Sequence, residues 1–322
     1  MPRKKVSKKN TARWIRALQL RLPATSANLG PAFDAAAVAL DLYLKLAAGP
    51  AAHFSITASG RDREVCENLE NHLILNTYRE VLSAQGRDVT PLSLRIQNEI
   101  PIGKGCGSSA AARLAGIALA NHFGGLRWNE AQIISEASRR EHHPDNASAC
   151  WMGGLTIARM SGEGEVQAVC LRPRGKWPLL LALPAEALST ELARKVLPAH
   201  YSRADAVVNV QNCLLLLAAF AQGRHDLLSV ALEDRIHQPY RSRLCPLLPA
   251  LQPLTGKEGV LGVALSGAGP SVLIFLDPRA SVQKARKSVE SHLARHGLSA
   301  EVRPTSMALR GARSPANSSA RR

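Results

Sequence analysis

Residues 101–109, Pro-Ile-Gly-Lys-Gly-Cys-Gly-Ser-Ser, carry the strongest chemical signal in the chain. Gly103, Gly105 and Gly107 alternate into Ser108 and Ser109, and an alanine-rich segment of high helix propensity follows. Glycine backbone can turn its N–H groups inward and approach an anion closely. A serine at a helix start is a good cap, and the helix N-terminus carries roughly half a positive charge. The combination predicts a phosphate cradle made by Pro101, Ile102, Gly103, Lys104, Gly105, Cys106, Gly107, Ser108 and Ser109. No Gly-Lys-Ser/Thr closes the loop, so it is not of the Walker type, and Ser108 stands where GxGxxG needs its third glycine. A tight strand-to-helix turn with no ligand is the other reading of the same residues.

Other groups with chemical potential are scattered along the chain. Residues 24–34 form a loop of small residues in which Asn28 and Asp34 are the strong hydrogen-bonding side chains; alone it reads equally as an Asx-rich turn. His142-His143-Pro144-Asp145-Asn146 contains metal-ligand types but lacks the i,i+4 spacing of a helical zinc site, so exposed loop histidines are expected. Thr190 and Arg194 fall one helical turn apart, on one face. Ser266-Gly-Ala-Gly-Pro270 is a second glycine turn, weak evidence by itself.

The elements that must position these residues follow from periodicity. Alternation predicts strands at 17–23, 38–47, 53–58 and 92–98, the last leading into the glycine loop. Helical spacing predicts helices at 72–85 and at 129–141, the second opened by Asn129 and ended before Pro144. Beyond residue 178 an apolar strand at 179–183 precedes helices at 189–197, 207–221 and 226–235. Strands at 260–265 and 271–276 flank the second glycine turn, and a helix at 281–296 and an edge strand at 300–303 close the pattern.

Composition narrows the class. At 322 residues, 46% of them hydrophobic, there is material for about two packed domains. Aromatics are only 4%, which disfavours stacking on nucleobases. The six cysteines are dispersed with no CxxC pair, which points to a reducing compartment rather than a zinc or disulfide framework. The longest purely apolar run, Cys213 to Ala221, is too short to span a bilayer, and no apolar segment follows the basic start. The net charge of +16 resembles a nucleic-acid binder until it is located: seven cations without an acid fall in residues 1–16 and five in 303–322, leaving +4 for the rest. The tails read as disordered and solvated, with weak polyanion attraction rather than a dedicated nucleic-acid partner.

Three separated stretches, PATSANLGPAFD (23–34), PIGKGCGSSAA (101–111) and LSGAGPSVLIF (265–275), together resemble the signature motifs of the GHMP kinases. The middle one matches that family's Pro-x-x-x-Gly-Leu-Gly-Ser-Ser phosphate loop, and the resemblance spans residues 17–304. SANLGPAFD, HPDN (143–146) followed by Gly153-Gly154, STELARKVLP, and HQPYR (237–241) are most similar to members that phosphorylate homoserine; the N-terminal sugar signature of galactose-phosphorylating members is missing. The resemblance implies an α+β, two-domain GHMP kinase fold. A ribosomal-protein-S5-like N-terminal domain would occupy 17–155 and a ferredoxin-like C-terminal domain 156–304, with disordered basic tails at 1–16 and 305–322. It implies a cytoplasmic homodimer without membrane attachment that uses ATP and Mg²⁺ to make O-phospho-L-homoserine for threonine biosynthesis. A kinase of another small alcohol, and a nonenzymatic nucleotide-binding regulator, are the alternatives.

Roles carry over position by position. Ser109 with Glu141 would hold magnesium, Glu136 being the alternative acid. Asp34 and Asp145 match substrate-contacting loops suited to the homoserine ammonium, Arg194 and Arg241 match positions that bind its carboxylate, and Asn28 and Asn146 would position the hydroxyl and the γ-phosphate. Asp145 is read as a positioning group rather than a base, and Lys104 as a cation near the triphosphate. Three departures from the family pattern stand out: Cys106 in place of leucine, Ala32 in place of glycine, and ASACWMGG after HPDN without the usual valine and proline. If residue 32 required φ > 0, alanine there would cost about 1–2 kcal/mol.

Overall fold

Two long strands, β1 (Leu18–Asn28) and β2 (Ala32–Pro50), organise the first half of the computed structural model, which describes residues 17–312. The strand expected to stop at Pro23 runs on to Asn28. Ala24 to Ala27 continue the antiparallel ladder against Leu40 to Ala37 of β2, and the buried Thr25 hydroxyl finds a partner in Asn146. The polar loop expected at 24–34 therefore shrinks to the hairpin tip. Ala32 lies outside the left-handed residues there, which are Asn28, Leu29, Gly30 and Asp34, so alanine in place of glycine carries no backbone strain.

Downstream come β3 (Ser55–Gly60), α1 (Arg63–Glu67), α2 (Leu73–Ala84), β4 (Leu92–Asn98), α3 (Ser108–Phe123), α4 (Glu130–Glu141), α5 (Asp145–Met152), β5 (Leu155–Met160) and β6 (Val166–Leu171). The sheet order is β3-β4-β2-β5-β6, with β1 also paired to β2. In β4 burial alternates strictly, Leu92, Leu94 and Ile96 inward and Ser93, Arg95 and Gln97 outward, as the period of two requires. α4 is closed by a capping box between Asn129 and Gln132. α3 is buried on nearly every side, its small residues allowing close approach of α2 and α5.

The second sheet is built from β7 (Leu179–Leu183) and, after helices α6 (Thr190–Lys195), α7 (Arg203–Gln222), α8 (Leu228–Ala231), α9 (Gln238–Arg241) and α10 (Leu247–Leu251), from β8 (Val260–Leu265), β9 (Val272–Leu276) and β10 (Glu301–Thr305), with α11 (Val282–Arg295) before β10. Its order β10-β7-β9-β8, all antiparallel, gives the β-α-β-β-α-β ferredoxin-like arrangement. Leu179 and Leu181 face the main core with Phe220 and Phe275, while Leu180 and Ala182 face a second core with α10 and α11. Because β5 and β6 belong to the first sheet, the division between sheets falls between Leu171 and Leu179, later than residue 155.

α7 is the one described helix long and apolar enough to cross a membrane, with a mean hydropathy of 1.6 over its most apolar window. Its interior commits it to protein contacts instead. Asn209 Nδ2 donates to Pro31 O at 2.7 Å and Asn212 Nδ2 to Glu233 O at 3.1 Å, while Leu216 and Phe220 enter the main core.

The expected tail beginning at 305 is partly structured. Met307 bridges Leu40, Ala308 N donates to Ala39 O at 2.8 Å, and Ala312 N donates to Cys150 O at 2.9 Å, so residues 306–312 strap the second half onto β2 and α5. Residues 1–16 and 313–322, the rest of the expected basic tails, lie outside the described residues. A chain ended at Pro304 is therefore expected to melt several degrees below one ended at Ala312, because it loses these ladder bonds and the packing of Met307 and Ala312. Thermal denaturation of the two truncations checks this, and equal melting points would reduce the strap to a surface decoration.

Candidate active site

A cavity of about 740 Å³ opens between the two sheets. Ile74, Ile96, Ile100 and Ile102 give it an apolar end, the glycine loop forms its middle, and charged side chains from both halves line the other end. Gly103, Gly105 and Gly107 all adopt left-handed backbone, with φ of 71°, 71° and 68°. A Cβ on Gly105 would stand 2.1 Å from Ser266 O, and one on Gly107 1.9 Å from Thr25 Oγ1. Only glycine lets the loop wedge between β1 and the second glycine turn. The cap differs from the sequence reading: Gly107, not a serine, is the N-cap of α3, and no side chain caps it. The first N–H groups of α3 therefore stay available for an anion.

The hydroxyl of Ser109 turns instead to Glu141 Oε1, at 2.5 Å, which also accepts from Arg113 Nε at 2.6 Å. Glu136 is engaged elsewhere, by Arg139 at 2.7 Å and Arg140 at 2.8 Å, and does not line the cavity. Pro101 is buried, and neither it nor Lys104 lines the cavity; the Lys104 ammonium points away, to Pro184 O at 2.7 Å. The expectation of a cation beside the triphosphate gives way because the second half of the chain offers that carbonyl. Cys106 is 1% exposed, and burial pushes its thiol up to about 12. At pH 8 the folded chain should leave Cys106 unalkylated by iodoacetamide while the unfolded chain reacts, since the thiolate is the nucleophile. Peptide mapping checks this, and fast native labelling at Cys106 would mean an accessible thiolate.

At the charged end, Arg194 forks onto Asp34 through two bonds, 3.0 Å to Oδ2 and 2.8 Å to Oδ1. That pair spans the two halves. Against the effect of burial, Asp34 holds the Arg194 guanidinium above its usual value. Asn28 braces the same turn, accepting from Asp34 N at 3.0 Å and donating to Gly267 O at 2.8 Å. Asn146 accepts from Thr25 Oγ1 at 2.6 Å.

The sequence reading of His142 and His143 as exposed loop residues fails for His143, which is 7% exposed and lies 2.6 Å from Asp145 Oδ1 through Nδ1. α5 begins at Asp145 and draws the preceding turn into the cavity wall. Burial alone would lower the His143 pKa, but the Asp145 hydrogen bond, with the charges of Asp145, Asp34 and Glu141, raises it above the usual value. Asp34, His143 and Asp145 bring one ligand-type atom each within 4.8 Å of one another, although Arg194 already occupies Asp34 and His143 occupies Asp145. Thr25, Arg113 and His143 were not singled out for the site from sequence. The signal for His143 was its place in the HPDN stretch, two residues before Asp145.

Arg241 is the most unusual group. It is 1% exposed and lines the cavity, with Nε donating to Ala193 O at 2.9 Å and NH1 3.4 Å from Gly267 O and 3.3 Å from His237 Nδ1. Among the described residues no carboxylate lies within 4 Å of it. Burial, and then the charge of Arg194, depress its pKa; Asp34 and Asp234 oppose this only from a distance, so the cation has no acid in direct contact.

A glycine loop opening a helix, a hydroxyl–carboxylate pair beside it and a cavity between two α+β halves define a small-molecule phosphotransferase. The chain belongs to the GHMP kinase family: the GHMP kinases N terminal domain matches residues 72–154 and the GHMP kinases C terminal domain matches 216–295. Among its relatives are homoserine kinases. That of Solibacter usitatus is 45% identical over 258 residues, covering 80% of this chain and 84% of the relative, and that of Deinococcus radiodurans is 36% identical over 287 residues, covering 89% and 93%. In structure, the homoserine kinase from Cytophaga hutchinsonii superposes with a TM-score of 0.78 at 22% identity, over 97% of this chain and all of that one, which establishes the shared fold.

Proposed function

We infer that the chain transfers the γ-phosphoryl group of ATP to the side-chain hydroxyl of L-homoserine, giving O-phospho-L-homoserine, a step of threonine biosynthesis. The observation that carries the substrate class is Arg241, a buried cation on the cavity wall with no carboxylate of the described residues beside it. A carboxylate ligand supplies the missing anion, and Arg194 adds a second guanidinium at the same end. Asp34 and Asp145, on the same wall, suit the ammonium. Asn28 and Asn146 hold Asp34 and Thr25 in register, and both line the cavity, where they would position the hydroxyl and the γ-phosphate.

Phosphoryl transfer asks the protein mainly for alignment and charge stabilisation. The backbone N–H groups of residues 103–109 and the first turn of α3 bind the triphosphate, and the apolar end of the cavity takes the base. Ser109 and Glu141, two hard-oxygen donors already paired, fit a magnesium ion, and they would hold it. Bound there, magnesium supplies positive charge to the phosphate oxygens. Asp145 Oδ1 is taken by His143 and by Asn146 N at 2.6 Å, which supports reading this carboxylate as a positioning group. The homoserine oxygen bonds to the γ-phosphorus as the bond to the bridging oxygen of ADP breaks, and the hydroxyl proton passes to an oxygen of the transferred phosphoryl group.

A homodimer and a cytoplasmic location belong to the same reading. Val207, Val210 and Leu214 form an apolar stripe on α7, 50%, 59% and 63% exposed, that suits a second copy, and the six free thiols suit a reducing compartment. Sedimentation equilibrium reports the oligomer. The reaction is tested by ADP release with ATP and Mg²⁺ against L-homoserine, mevalonate, galactose and shikimate. Turnover is expected with homoserine alone; turnover confined to another alcohol would overturn the substrate assignment.

A further inference from the structure

Lys104 sits in the middle of the phosphate loop, yet its side chain leaves the cavity for the other half of the molecule. Its ammonium donates to Pro184 O at 2.7 Å, one residue past the end of β7. Beside it, Gly103 O accepts from Leu188 N at 3.0 Å, and a Cβ at Gly103 would lie 3.1 Å from Ala187 Cβ. Residues 184–188 are thus tied to the loop by two hydrogen bonds and approach it closely at Ala187. They run directly into α6, which Ser189 caps by accepting from Leu192 N at 3.1 Å. Leu188, Ser189 and Thr190 line the cavity, and Arg194 on α6 holds Asp34. This short segment therefore connects the phosphate loop to α6 and through Arg194 to Asp34.

We propose that Lys104 is a positioning residue that couples the two substrates: nucleotide fixes the phosphate loop, Lys104 carries that constraint to residues 184–189, and α6 sets Arg194 for homoserine. This rests on the kinase reading above. A charge-assisted bond to a carbonyl is stronger than a neutral one, and the flexible four-carbon stem spans the gap between the halves without burying the charge. Linkage requires reciprocity, so homoserine tightens nucleotide by the same factor that nucleotide tightens homoserine.

The test is calorimetric titration of the full chain with L-homoserine, with and without saturating magnesium and the β,γ-imido analogue of ATP. In the parent, nucleotide is expected to tighten homoserine about tenfold, and in Lys104→Met the factor is expected to fall to within about twofold of one. Lys104→Arg, whose guanidinium also donates to a carbonyl, should restore most of the factor. Homoserine affinity without nucleotide should match the parent in both variants, which reports an intact fold. A parent factor of one, or a Met variant that keeps the parent factor, overturns the proposal. So does a Met variant that loses more than about tenfold in nucleotide affinity alone while keeping the factor, because Lys104 would then be a phosphate ligand. A parent that binds neither ligand removes the kinase reading itself, and the coupling with it.

Discussion

Exchanging Glu141 for glutamine is expected to lower kcat with homoserine by about a thousandfold and to move half-saturation by Mg²⁺ to much higher concentration. Glu141 is the acid that meets the phosphate loop. Its Oε1 gathers Ser109 Oγ at 2.5 Å and Arg113 Nε at 2.6 Å, at the point where α4 ends and α3 begins. Glutamine keeps the length and the hydrogen-bonding oxygen but removes the negative charge that a hard cation requires. Arg113 would then face an uncharged partner, and the local potential beside the triphosphate would change by a full unit. The substitution should hardly disturb folding, because the same contacts remain possible. Rate against magnesium concentration separates the explanations. A Gln variant with near-parent kcat and an unshifted magnesium requirement would remove Glu141 from the metal site. Replacing Glu136 in the same way should leave both quantities near parental values, since that acid is spent on Arg139 and Arg140.

Arg241→Met is expected to raise the KM for homoserine about 100-fold while the melting temperature holds. Two charge-assisted bonds to a carboxylate account for a loss of that size. Methionine keeps the volume and flexibility of the arginine stem, so no large cavity opens. The stability balance is the more diagnostic part. The guanidinium is buried without a carboxylate from the described residues, and relief of that charge offsets the lost bonds to Ala193 O, His237 Nδ1 and Gly267 O. Gly267 O keeps Asn28 Nδ2 as donor at 2.8 Å, so one of the three acceptors is not orphaned. Nucleotide affinity should be near parental, because the hydrogen bonds of Arg241 run to Ala193, His237 and Gly267 and none to residues 103–109. A variant that melts far lower and loses both ligands would mark Arg241 as a structural prop. Parental KM would remove it from the substrate site.

Much of this arrangement was legible before any coordinates. β4 ends where alternation predicts, at Asn98, and α4 starts after Asn129, the residue expected to open it. Gly103, Gly105, Gly107, Ser109 and Glu141 line one cavity. Those features depend on backbone sterics, on side-chain alternation, or on contacts three and four residues apart, all written locally. Other readings missed for equally physical reasons. Thr25 and Ser26 look like loop residues by composition, but a strand tolerates them when their backbone pairs with Ala39 and Val38. Residues 155–171 carry no strong alternation, and they became strands because β2 offered an edge to β5. The strap at 306–312 has no local signature either, since its partners are Ala39 and Cys150.

By itself, the sequence determined the chemical inventory of this protein: a phosphate loop, hard-oxygen donors, guanidinium groups and amides in the order of a GHMP kinase. Only the tertiary structure decided which of them face one another. Arg194 meets Asp34 from 160 positions away, Arg241 reaches the cavity without an acid beside it, and Lys104 turns out of its own loop toward Pro184. Local spacing restrains neighbours within a helical turn or a strand ladder, whereas the partner of a charged side chain is chosen by how two sheets and their helices pack, which is set by the whole core at once.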